Sequence, residues 1–156
     1  PPNPSPSLRS VQAMPARHHT VVIPSTMRHL ATVRRFVRQY GAEAGLTDRA
    51  VSELQLAVDE ACANAIEHGY KGREDGRVQV GTHTHNGTFV VTIRHDGEPI
   101  APGRYKPPTL QDALQNHQRR GYGMRLIHRL VDEVSFDLAG PTSQVRLAKR
   151  VAPPMA

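Results

Sequence analysis

The 156 residues include 22% charged and 38% hydrophobic side chains, a net charge of +6 and one cysteine, Cys62. A chain of this length buries roughly 70% of its unfolded surface in one core and needs no disulfide staple, and it holds no apolar run approaching the ~18 residues of a membrane span, nor a signal-peptide core. Aromatic residues make up only 4%, tryptophan is absent and basic residues are not interleaved with aromatics, so direct nucleic-acid binding is not expected and the positive charge points to an acidic protein or a nucleotide, in a soluble cytoplasmic protein.

Pro1, Pro2, Pro4, Pro6 and Pro15, with Ser5, Ser7 and Ser10 among them, disfavour helix and strand, so residues 1–17 read as a mobile arm before a single domain at 18–151 and a tail at 152–156. The β-branched run from His19 to Ile23, closed by Pro24, predicts a first strand. Ser25 or Thr26 then caps a helix from Met27, with Leu30, Val33, Phe36, Val37 and Tyr40 at helical spacing. Arg28, Arg34, Arg35 and Arg38 make its other surface basic, and Gly41 and Gly45 end it. Thr47 is the N-cap of a second helix, with Asp48 at the positive dipole end and Leu46 placed to staple onto Val51. That helix runs to about His68 with Leu54, Val58, Ala61, Ala65 and Ile66 as its apolar stripe, and Gly69 and Gly72 mark its end. Cys62, among alanines, reads as a small buried hydrophobe. Val78 to Thr82 and Thr88 to Arg94 form a hairpin around Asn86 and Gly87. Pro99, Pro102, Gly103, Pro107 and Pro108 break regular structure, giving a functional loop or lid to Arg120 with a short helix from Leu110 to His117. A third helix, Met124 to Val131, precedes a closing pair of strands, Val134 to Leu138 and Gln144 to Arg150. The order implies an α/β (α+β) two-layer sandwich: a mixed, mostly antiparallel sheet covered on one face by about three helices.

The chemistry concentrates on the second helix. Glu60, Asn64 and His68 fall at successive i, i+4 positions, steps of about 6 Å, and so share one face. A carboxylate can take a proton and a carboxamide oxygen can ligate a hard cation such as Mg²⁺, a pair suited to phosphoryl transfer. His95-Asp96-Gly97-Glu98-Pro99 closes a strand. Arg120-Gly121-Tyr122-Gly123 opens a helix whose free N–H groups suit phosphates, with Arg119 and Arg120 adding charge. His83 and His85 share a strand face but lack a third and fourth ligand, so they read as a half-exposed pair.

These segments, in order, resemble the GHKL superfamily of ATPases and kinases, the Bergerat fold, and within it the anti-sigma-factor serine/threonine kinases. Glu60 to Tyr70 looks like their N box, His95 to Ile100 like the G1 box and Gly121 to Val134 like the G2 box, and the likeness spans His19 to Arg150. It implies an ATP- and Mg²⁺-dependent protein serine/threonine kinase, with Glu60 as general base and Asn64 as metal ligand. His68, Gly97, Arg120, Gly121, Tyr122 and Gly123 would complete the nucleotide site. The family's adenine-binding G1 aspartate is His95 here, with Asp96 one residue later. Adjacent strand side chains point to opposite faces, so only one of the two can serve. Thr142-Ser143 replaces the family's Gly-Thr, which puts the Ser143 hydroxyl near adenine. The implied partners are a sigma factor and an anti-anti-sigma protein of the STAS type, with a homodimer as the assembly. Two other functions fit the same motifs: a non-catalytic docking module with weakened nucleotide binding, and a sensor-kinase ATPase domain detached from its histidine-bearing partner.

Overall fold

The computed structural model describes residues 17–99, 123–138 and 140–151. Strand β1 (His19–Pro24) leads through a 3₁₀ turn at Met27–His29 into helix α1 (Leu30–Glu43). Helix α2 (Asp48–Asn64) follows and continues into a π turn at Ala65–Gly69. Next come β2 (Arg77–His85) and β3 (Thr88–His95), then α3 (Gly123–Leu130), β4 (Glu133–Asp137) and β5 (Ser143–Arg150). The strands make one five-stranded sheet in the order β1-β2-β3-β5-β4, and each of these neighbouring pairs is antiparallel. The expected two-layer α/β sandwich is therefore the architecture of the chain.

Alternation sets the layers. Val78 and Val80 of β2, Phe89, Val91 and Ile93 of β3, and Leu147 of β5 are buried beneath the helices. Facing them are Leu30, Val33 and Val37 of α1, Val51, Leu54 and Val58 of α2, and Ile127 of α3, all in one core. The apolar stripe read from the sequence of α2 lies in this core, as does Cys62. Burial pushes the Cys62 thiol far above its ordinary pKa, which leaves it inert.

Three local expectations are corrected. Neither Ser25 nor Thr26 caps the first helix, because both hydroxyls are engaged elsewhere. Ser25 Oγ donates to the Arg73 carbonyl at 2.5 Å and accepts the Gly76 N–H at 3.0 Å, while Thr26 Oγ1 bonds His29 Nδ1. Gly41 does not end α1 but lies buried within it, where an added Cβ would sit 3.3 Å from Leu46 and 3.4 Å from Val51. The second helix is α-helical only to Asn64; beyond it the Tyr70 N–H reaches back five residues to the Ala65 carbonyl at 3.1 Å, the π-type bond that widens the turn. Thr47 does cap α2, its Oγ1 accepting the Ala50 N–H at 3.1 Å. Residues 1–16 of the arm expected at 1–17, the tail at 152–156 and the expected helix from Leu110 to His117 lie outside the described residues.

Candidate active site

Helix α2 packs on the sheet, and the π turn that continues it meets the end of β3. Glu60 is half-buried on this helix, and Asn64, one turn on, is buried. The Asn64 Oδ1 has no hydrogen-bond partner. A buried carbonyl oxygen left unpaired costs about 1–3 kcal/mol, so its persistence marks a place where a ligand or cation can supply the missing partner.

The end of β3 docks on the π turn through backbone contacts that only glycine permits. A Cβ on Gly69 would lie 2.8 Å from Cε1 and 2.9 Å from Nδ1 of His95, and a Cβ on Gly97 would lie 2.4 Å from the Gly69 carbonyl oxygen. The Glu98 N–H donates to that same carbonyl at 2.7 Å. Tyr70 closes the corner: its hydroxyl donates to the Arg77 carbonyl at 2.5 Å and accepts the Asp96 N–H at 2.9 Å. Its ring meets His95 edge-on, with centroids 5.8 Å apart.

Pleating separates the two G1 alternatives. His95 faces the helix layer, 9% exposed, opposite Val78 on β2 and the buried Ser143 on β5. Asp96 is exposed, and its Oδ1 accepts the Thr142 hydroxyl at 3.0 Å. Burial pushes the His95 imidazole below its ordinary pKa, and the nearby Asp96 charge opposes this only in part. The ring is therefore neutral at pH 7, with Nδ1 buried and unpartnered. A neutral imidazole, unlike a carboxylate, offers one donor and one acceptor.

His68 departs from the expected track. It lies in the π turn and is exposed, where sequence periodicity had placed it in line with Glu60 and Asn64. The wider turn rotates the chain out of α-helical phase after Asn64. Gly123 opens α3 by its backbone, while Arg119, Arg120, Gly121 and Tyr122 lie outside the described residues. Among the described residues no three His, Cys, Asp or Glu side chains cluster as a metal site. A cation held at Asn64 would therefore complete its shell with phosphate oxygens and water, the habit of Mg²⁺, and the orphaned carboxamide oxygen fits that role.

Gly69, Tyr70 and Thr142 shape this corner, although none of them was read from the sequence as a site residue. Gly69 read as a helix terminator, yet its use is close approach to His95 and Gly97. Tyr70, through two bonds of its hydroxyl, and Thr142, through one, hold Asp96 and the neighbouring chain by contacts that no local pattern announces. Away from this corner, at the other end of the β3–β5 pair, Lys149 donates to the Leu130 carbonyl at 2.5 Å and to Glu53 at 2.8 Å, tying the end of α3 to α2. The Lys149 bond, joined by Arg49 and opposed by partial desolvation, holds the Glu53 carboxyl below the usual range.

The fold has counterparts among known proteins. Two curated relatives are a serine-protein kinase RsbW of Listeria innocua, 26% identical over 121 residues (75% of this chain, 77% of that protein), and an anti-sigma F factor of Halalkalibacterium halodurans, 33% identical over 84 residues (54% and 58%). Among solved structures, the RsbU and RsbW domains of a Mycobacterium tuberculosis protein superpose with a TM-score of 0.64 at 20% identity over 90% of this chain, which spans 34% of that one. A histidine kinase domain of Erythrobacter litoralis gives a TM-score of 0.51 at 19% identity, covering 83% of this chain and 62% of that one; both likenesses are ones of fold. The model of the histidine kinase-like ATPase domain matches residues 23–149, and the chain belongs to that family.

Proposed function

We propose that the chain is an ATP- and Mg²⁺-dependent protein serine kinase that acts as an anti-sigma factor, phosphorylating an anti-anti-sigma protein and binding a sigma factor in the cytoplasm, as a homodimer. The carrying observation is the orphaned Asn64 Oδ1 one helical turn beyond the Glu60 carboxylate. The names of the relatives, serine-protein kinase and anti-sigma F factor, support the same function.

Each residue has a chemical task in this proposal. Glu60 accepts the proton of the incoming serine hydroxyl as its oxygen attacks the γ-phosphorus and the bond to ADP breaks. Asn64 gives its carboxamide oxygen to the metal. Bound Mg²⁺ supplies charge neutralisation on the phosphates. His95 and Ser143 meet the base with neutral hydrogen-bonding groups, and Gly69 and Gly97 keep the corner open to close backbone approach. No helix among the described residues is long and apolar enough to cross a membrane.

The test is transfer of labelled γ-phosphate from ATP to a serine-bearing protein of the anti-anti-sigma class. Acid-stable label is expected, reduced by about 10²-fold or more in Glu60→Ala with ATP binding retained. Acid-labile label would assign phosphohistidine chemistry instead. Absence of ATP binding at millimolar concentration would favour the second reading, a docking module without catalysis, for which the specific observation is the neutral His95 at the position of an aspartate.

A further inference from the structure

The face of the sheet turned away from the helices carries a hollow of about 260 Å³ that the kinase proposal does not use. Its floor is Gly81, in register with Thr20 on β1 and with Thr92 on β3, which in turn pairs Arg146 on β5. The absent side chain at Gly81 makes the depression, and the side chains around it are basic or neutral. Arg94 and Arg146 approach from one side, and His18 and His83 stack with centroids 5.2 Å apart on the other. None of the residues lining the hollow is a carboxylate. Arg94 spends one N–H on the Gln144 side chain at 2.6 Å, and Arg146 forms no ion pair among the described residues. Burial first, then repulsion from the charges of His18, Arg146 and His85, pushes the His83 imidazole below its ordinary pKa. A bound anion would relieve that repulsion.

We propose that this hollow is a second ligand site, distinct from the nucleotide corner, that takes a small phosphate-bearing anion between Arg94, Arg146 and the His18–His83 pair. Guanidinium groups match phosphate oxygens in a bidentate fork, and the Thr20 and Thr92 hydroxyls add neutral donors. The volume is just below that of sites for drug-sized ligands, roughly 300 Å³ and upward, so a small anion fits better than a folded partner.

Pyrophosphate is the probe, titrated at pH 7 and low salt into the full chain carrying Asn64→Ala to remove the metal ligand of the nucleotide corner. Amide resonances of Gly81, Thr92 and Arg146 are expected to shift. Affinity is expected to fall at least tenfold both in Arg146→Ala and in Gly81→Val, whose Cβ would meet the His19 carbonyl at an ordinary 3.7 Å and whose branched side chain would occupy the floor of the hollow. Thermal melting of each variant checks that it folds. The proposal is overturned by shifts confined to the segment 60–69, by affinity unchanged in both variants, by an adventitious ion only, or by signals that depend on protein concentration and ignore pyrophosphate, which would give this face to a second copy.

Discussion

At the scale of single residues, burial decides what each polar group can do. Asn64 and His95 each bury an unpaired polar atom, and His95 is kept neutral by its surroundings. An unfolded imidazole titrates near ~6.5, and the folded one, being depressed, titrates lower. Below the unfolded value the unfolded chain binds more protons than the folded one, so this contribution to stability is fully present above pH ~6.5 and is lost as pH falls through the folded value. The expected slope is up to about 1.4 kcal/mol per pH unit, read from urea midpoints between pH 8 and 5, and His95→Gln should flatten it. Coincident profiles for the two proteins would show that His95 is not desolvated. The sequence alone put His95 at the aspartate position and left Asp96, one residue later, as the alternative, because a one-residue alternation cannot be phased until the strand is placed. Once β3 pairs with β2 and β5, His95 turns inward and Asp96 is held outside by Thr142.

At the scale of elements, the glycines at 69 and 97 join helix to strand. A methyl at Gly97 meets the Gly69 carbonyl, backbone against backbone, with no flexible side-chain end to give way. Gly97→Ala is therefore expected to break the bond from Glu98 to Gly69, destabilise the fold by roughly 1–3 kcal/mol, and speed hydrogen exchange at the Glu98 amide. Unchanged protection at Glu98 would rule this contact out as the latch of the corner. The hydrophobic periodicities of α1, α2 and the β2–β3 hairpin are strong enough to be legible from sequence, as is the Thr47 cap. The exact close of α2 was not, since a π turn leaves the residue types of a helix unchanged and alters only which carbonyl each N–H reaches. Gly41 misled for a related reason: a glycine in a helical pattern signals a terminus or a tight packing contact, and only the neighbours Leu46 and Val51 tell which.

At the scale of the whole molecule, helices cover one sheet face and polar residues the other, and the third helix is fastened by one cation. Lys149 is only 12% exposed at its side chain and joins the C-terminal carbonyl of α3, at Leu130, to Glu53 on α2. Lys149→Met keeps the stem and removes the ammonium, which leaves the Leu130 carbonyl without that donor and Glu53 with Arg49 as its remaining cation. A loss of about 1–3 kcal/mol is expected, measured by urea unfolding; because the ammonium is largely shielded from solvent, 0.5 M salt should not mimic it. A wild-type midpoint in the variant would mean that α3 is held by its apolar face alone. The order of elements made the two-layer architecture readable from sequence, whereas this fastening, 96 residues apart in the chain, has no local signature.

The π turn at Ala65–Gly69 has a bearing on which changes of length the protein can accept. Deleting one residue between Asn64 and Gly69 would let the helix close at its ordinary pitch and swing the carbonyl that now receives Glu98 away from the strand. Insertions elsewhere, such as in the exposed stretch at 71–75, would leave that carbonyl where it is. Spacing, as much as chemistry, governs this bend of the chain.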